Sequence, residues 1–253
     1  MKKIMIIAAK EYRTYFTGLM AYAVGGLFTF LMSLMFYFAF ARFANVSMQL
    51  AAQGGKGTIN DYVFAMQFGN VNLVLLIIIP ALTMRLFAEE KRNRTMDLLM
   101  TSPLTATEIV VGKFLAGCLI VWSILAIMVV YPLTSSLFTT FDKGPVLTSF
   151  LGLFLISGVY VSIGVFASSL TENGIIAFVL AFVISLFFWV VGWASVSMDS
   201  PAAQSFFNYV SIISHFGDFT KGVIDVSSVV YYLSLIFFFG FLTQRVVESA
   251  RWR

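Results

Sequence analysis

Site chemistry needs side chains that can donate, accept or attack, and this sequence holds few of them. His215 is its single histidine and Cys118 its single cysteine. Neither an H-E-x-x-H metal helix nor a cysteine–histidine nucleophile pair can be assembled from them. Cys118 lies inside an apolar run, where a packing thiol is expected. His215 stands near Asp218, and a structural hydrogen bond is its expected role. The "GGKGT" at 54–58 has glycines and a lysine without the G-x-x-x-x-G-K-[ST] order that cradles phosphate, so a linker is expected there. No acids pair at catalytic spacing. The chain reads as a non-enzyme that holds no cofactor of its own.

Charge, by contrast, is concentrated. Seven of the 16 basic and 12 acidic residues fall in "RLFAEEKRNRTMD", residues 85–97, of a chain that is only 11% charged. Glu89, Glu90, Lys91, Arg92, Arg94 and Asp97 mix both signs, which suits a protein surface better than an anionic lipid surface. Met96, Leu98, Leu99 and Met100 add apolar side chains that an isolated loop would not show to water. Pro103 ends the segment, and "TATE" at 105–108 has the spacing of a capping box that starts a new helix. The segment 89–101 is therefore expected to be a short amphipathic helix lying flat beneath a membrane.

The membrane follows from composition. A chain of 253 residues that is 60% hydrophobic, with mean hydropathy +0.92, has more apolar surface than a soluble core of that size can hide. Apolar runs near the ~20 residues that cross a hydrocarbon core occur at 18–40, 64–86, 109–133, 146–170, 174–196 and 229–247. The expected fold is all-α: six transmembrane helices in one integral membrane domain, residues 1–253. Lys2, Lys3 and Ala39-Phe40-Ala41 imitate a secretory signal, but the intervening run is too long, so an uncleaved first helix is expected. With both termini cytoplasmic, Arg42, Lys56, Lys143 and Lys221 fall outside and the other basic residues inside. The pI of 9.2 is thus a topology signal, and nucleic acid is not an expected partner.

Other features belong to particular helices. Before the first span, Lys3, Lys10, Glu11, Arg13 and Thr14 share one helical face and Ile4, Met5, Ala8, Tyr12 and Tyr15 the other, while Ile6 and Ile7 interrupt the polar face. Either a helix lying in the membrane interface or a simple positive flank fits this pattern. Pro80 should kink the second span. Gln67, Asn70 and Asn72 either bond to neighbouring helices or face a wet route. Gly152, Ser157, Gly158, Ser162, Gly164 and Ser168 should let the fourth span approach its neighbours closely. The fifth, with Phe178, Phe182, Phe187, Phe188 and Trp189, should face lipid or another subunit. The outer segment 197–228 contains Phe206, Phe207, Tyr209, Ile212, Ile213 and Phe216. Short helices that dip back and cap a path would explain these residues, as would a docking patch for an extracytoplasmic partner. Phe206, Phe207, His215 and Phe216 are the candidates for such a gate or contact.

Three stretches carry a resemblance: "IPALTMRLFAEEKRNRTMDLLMTSPLTATEIVVGKFLA" (79–116), "GVFASSLTEN" (164–173) and "HFGDFTKGVIDVSSVVYYLS" (215–234). In these, and along nearly its whole length, the chain resembles the permease subunits of type-2 ABC exporters, within them the gliding-motility-associated group. Arg94 stands where that family usually has Gly, and Asp97 where it often has Glu. The resemblance implies a bacterial inner-membrane permease that works as a dimer of identical or related permeases. It also implies a separate ABC ATPase subunit that holds ATP and magnesium and docks on a coupling helix. Glu89, Glu90, Arg92, Arg94, Thr95, Met96, Asp97, Leu98, Leu99 and Thr101 would form that contact, and Glu172 a smaller second one, unless "SSLTEN" is a plain polar turn. An extracytoplasmic auxiliary protein and membrane lipids complete the expected partners. A scaffold whose ATP-driven motion acts on another membrane or periplasmic protein is the alternative. A secondary transporter ranks behind both, because the span centres carry no ionisable residue, and an intramembrane enzyme lacks a catalytic set.

Overall fold

The computed structural model describes residues 2–52, 58–101, 104–196 and 200–250. The described residues are helical, with no strand among them. In chain order the helices are α1 (Lys2–Thr17), α2 (Leu19–Ala52), α3 (Ala65–Thr83), α4 (Arg85–Arg92), α5 (Met96–Thr101) and α6 (Ala106–Ala126), then α7 (Val130–Ser136), α8 (Lys143–Leu170), α9 (Gly174–Val196), α10 (Pro201–Val210), α11 (Ile212–Thr220) and α12 (Val226–Ala250). A π turn, Asn60–Phe64, leads into α3, and a 3-10 turn, Ile127–Val129, joins α6 to α7. Six stretches among the described residues are long and apolar enough to cross a membrane: Ala21–Ser47, Asn60–Arg92, Ala106–Ser136, Lys143–Leu170, Gly174–Ser195 and Val226–Ala250. The "GGKGT" linker lies outside the described residues except for Thr58.

α3 and α8 form the centre. In each, 72% of the most apolar window is buried, against 17% in α2 and α9. Small side chains on α8 make this possible. A β-carbon at Gly164 would lie 2.0 Å from Thr83 Oγ1, and one at Gly152 would lie 3.0 Å from the rings of Phe216 and Phe219. Polar side chains bond between helices, as expected in an apolar medium. Gln67 Nε2 donates to the Met32 carbonyl (3.1 Å) and Tyr160 donates to Asn72 Oδ1 (3.0 Å). Packing is thus the role of Gln67 and Asn72. α9 turns Ala177, Ala181 and Ser185 inward and leaves Ile175, Phe187 and Trp193 exposed, as its bulky composition implied.

Two details lie beyond what the sequence foretold. α3 continues through Pro80, and the interruption falls one turn later, at Met84. The Ser168 hydroxyl of α8 enters that gap, accepting from Phe87 N (3.0 Å) and Ala88 N (3.1 Å) and donating to the Met84 carbonyl (2.9 Å). A side chain inserted into the helical ladder is a recognised cause of a break. α1 is also a helix of its own, and it packs along α6 with most of its expected apolar face, Ala8, Tyr12 and Tyr15 included, while Ile7 and Glu11 join the packed side in place of Met5. Ile7 and Ala8 are buried and Glu11 belongs to the packed face, whereas Met5 and Ile6 are exposed. Ile7 touches Gly112 so closely that a β-carbon there would lie 2.9 Å away, and Tyr12 meets Ser123 Oγ at 3.0 Å.

Candidate functional site

The charged segment forms two helices instead of one. α4 prolongs α3 beyond Met84, burying Leu86, Phe87 and Ala88 and exposing Arg92, with Arg85 and Glu89 paired at 3.3 Å. Its end is a Schellman motif: Arg94 N donates to the Lys91 carbonyl (3.1 Å) and Thr95 N to the Glu90 carbonyl (2.9 Å). Such an end needs a left-handed residue, and Arg94 adopts φ 56 to supply it. Glycine takes that conformation without the β-carbon clash. The helix α11 closes the same way with Gly222, at φ 87.

α5 then presents its residues in opposite directions. Met96 is 6% exposed and joins the chain's own core, while Leu98 is 71% exposed. Thr95 and Thr101 are exposed, and the Thr101 hydroxyl donates to the Leu98 carbonyl. The side chains of Asp97 and Leu99 lie outside the described residues. The expectation of Met96 as an anchor for a partner therefore changes, because its side chain is already packed within this chain. α6 begins at the expected capping box, with Glu108 N on Thr105 Oγ1 (3.2 Å) and Thr105 N on Glu108 Oε2 (3.0 Å).

Three of the sequence candidates meet. An open cleft of about 590 Å³ is lined by Arg85, Glu89 and Arg92 from α4 and by Glu172, Asn173 and Gly174 from the turn between α8 and α9. Lys91 Nζ ties α4 to the end of α8 by donating to the Ser169 carbonyl (2.5 Å). The turn is capped locally, Thr171 Oγ1 accepting from Asn173 N and Asn173 Oδ1 from Ile175 N. Segments some 80 residues apart in sequence thus present one surface of mixed sign.

Glu90 is directed away from that surface. It pairs at 2.8 Å with Lys113 of α6, whose side chain is 1% exposed. The same ammonium meets Glu11 of α1 at 3.2 Å, donates to the Leu86 carbonyl at 2.5 Å and lies 5.0 Å from the centre of the Phe87 ring. Glu90 is therefore an internal ion-pair partner and not a rim charge. Sequence reasoning passed over Lys113 as one more inner-side cation. The available signal was its place inside the apolar run "IVVGKFLA", where a charge needs a partner.

At the opposite end, α10 and α11 are the short helices foreseen in 197–228. Phe216 and Phe219 are buried on α8, Phe207 is half-buried and Phe206 is 64% exposed, in edge contact with Phe207. His215 is structural, but its partner is not Asp218. Its ring nitrogens meet Ser228 Oγ (2.9 Å) and the Tyr209 carbonyl (3.0 Å), and it stacks on Tyr231. Asp218 pairs with Lys221 instead, at 3.9 Å.

Residues 5–247 match the family model described as ABC-2 family transporter protein. No curated protein matches the chain.

Proposed function

The chain belongs to the ABC-2 family of transporter proteins, and on that premise we propose that it is the permease of an ATP-driven exporter, coupled to a separate ATPase through the end formed by α4 and α5. It is a transport subunit of the ABC class and a multi-pass membrane protein. In this reading the ATPase, carrying ATP and magnesium, docks on the cytoplasmic face of the bacterial inner membrane, where both termini lie. Two permeases, identical or related, enclose the path, in an assembly of two permeases and two ATPases. The gliding-motility-associated group remains the proposed subgroup.

One observation carries the reading: the cleft that unites Glu89 and Arg92 with Glu172. Mixed charge suits recognition of a protein surface, where rim charges set association rate and selectivity and a few apolar residues hold most of the binding energy. Leu98, exposed on α5 in the segment that follows α4, supplies such an anchor. Closure of the ATPase would displace α4 and α5. The Ser168 hydroxyl, bonded across the α3–α4 break, passes that displacement to α8 in the centre of the bundle.

Purification of the chain from its native membrane tests this. A co-eluting ATPase is expected, with ATP turnover absent from the isolated chain; Arg92→Glu should slow reassembly and make it more salt-sensitive. Nucleotide binding by the isolated chain, or wild-type reassembly by a variant carrying both Leu98→Ala and Arg92→Glu, would overturn it.

Exposed Phe206 and Tyr209 on α10 favour a second reading, a scaffold acting on another membrane or periplasmic protein. Replacing Phe206 and Phe207 by Ser separates the two. Loss of a co-eluting auxiliary protein supports the scaffold, and loss of the detergent-solubilised permease dimer supports a cap over the path.

A further inference from the structure

We propose that Lys113 is the positioning residue that carries displacement of α4 into α6, and that Glu11 holds its ammonium in place while Glu90 engages and disengages. The proposal rests on the reading of α4 and α5 as the ATPase-docking end.

Stability alone does not account for the cluster. Replacing a buried ion pair or triad by apolar residues of similar volume is often neutral or stabilising, whereas removing a single partner strands a charge. The arrangement around Lys113 avoids that second outcome for one particular movement. Two carboxylates face one ammonium, and Glu90 Oε2 has no hydrogen-bond partner among the described residues. If Glu90 withdraws with α4, Lys113 keeps Glu11 of α1 at 3.2 Å. Glu90, near the end of α4, has only a short way to go to water. The pair can therefore open without leaving an uncompensated buried cation.

The packing shows which bodies the pair joins. α1 and α6 are fastened together by the close approach of Ile7 to Gly112 and by the Tyr12–Ser123 hydrogen bond. α4 is fastened to α8 by the Ser168 hydroxyl and by Lys91 on the Ser169 carbonyl. Lys113 stands between them, with Glu11 on one side and Glu90, the Leu86 carbonyl and the Phe87 ring on the other. A push on α4 therefore reaches α6, and with it α1, through the Lys113 ammonium. Glu11 keeps that ammonium aimed at α4 so that the contact can re-form.

The test uses the whole chain with the ATPase that co-purifies from its native membranes. Asn93→Cys, in the exposed turn after α4, reports docking, and Thr107→Cys, exposed on α6, reports transmitted movement. Thiol-labelling rates are compared with and without a non-hydrolysable ATP analogue. With Lys113 intact, the ATPase should protect Asn93→Cys, and the analogue should change the Thr107→Cys rate several-fold. Lys113→Met should keep the protection and lose the Thr107→Cys response, and Lys113→Arg should restore it. Where Lys113→Met does not insert, the triple variant Lys113→Met, Glu11→Gln, Glu90→Gln, which strands no charge, takes its place with the same expectation. A Thr107→Cys response unchanged without Lys113, or absent with it, overturns the proposal. No protection of Asn93→Cys by the ATPase overturns the docking reading instead.

Discussion

Arg94 shows how one residue can fit its place imperfectly and still define it. The turn after α4 requires a left-handed residue, and the structure supplies φ 56 from an arginine. For an L-residue with a β-carbon that conformation costs about 1–2 kcal/mol, of which glycine gives back part through its greater freedom when unfolded. Arg94→Gly should therefore raise stability by roughly 0.5–1 kcal/mol, and Arg94→Val should lower it, because a β-branched side chain fits this region worst. Thermal unfolding of the detergent-solubilised chain reads both. A fall in midpoint for Arg94→Gly would mean that the guanidinium makes contacts worth more than the strain. The Schellman end of α4, hydrogen-bonded through Arg94 N and Thr95 N, is the physical reason that a glycine would suit this position.

Among elements, α8 determines how closely the others may come, and α5 divides its residues between the chain and its surroundings. Gly164→Ala would place a methyl group 2.0 Å from Thr83 Oγ1, an overpacking that typically costs about 1–3 kcal/mol. Thr83→Ala should relieve part of that cost, since it removes Oγ1 but keeps the β-carbon met at 2.7 Å, while Thr83→Ser should relieve less. Equal midpoints for the two double variants would show that α3 and α8 separate as wholes. On α5, Met96→Ala should destabilise the chain by about 2 kcal/mol, as truncation of a buried methionine does, without selectively weakening ATPase capture. Leu98→Ala should leave the chain's own stability unchanged and weaken capture by about 1–3 kcal/mol. Unfolding and pull-down measured on the same preparations separate these effects, and an exchange of the two outcomes would reverse the assignment. Much at this scale was readable beforehand. The apolar runs, the capping box of Thr105 and Glu108 and the small residues of α8 are signals carried within a few turns of chain. The break at Met84 and the partners of Lys113 were not readable, because both are set by neighbours far along the sequence: Ser168 for the break, Glu11 and Glu90 for the lysine.

For the whole molecule the open quantity is which end faces the cytoplasm, and the structure sharpens how to measure it. One end gathers Glu11, α4, Lys113 and the Glu172 turn. The other gathers the starts of α3 and α8 and the end of α11, joined by Asn60 Nδ2 on the Asp142 carbonyl (2.9 Å) and Thr148 Oγ1 on the Phe219 carbonyl (2.6 Å). Basic residues concentrate at the first end, and the bias of Lys and Arg toward cytoplasmic segments predicts that this end lies inside. Lys143 and Lys221 are exposed at the second end, Lys221 with 74% of its side chain open, and both should react with an impermeant amine reagent in intact cells. Lys91 is a poor counterpart, since its amine already donates to the Ser169 carbonyl and would react sluggishly on either side. Lys10, exposed on α1, is the better one. It should stay unlabelled in intact cells and become labelled once the membrane is permeabilised. Labelling of Lys10 without permeabilisation, with Lys143 and Lys221 silent, would invert the molecule and place the Glu89, Arg92 and Glu172 cleft out of reach of any cytoplasmic ATPase.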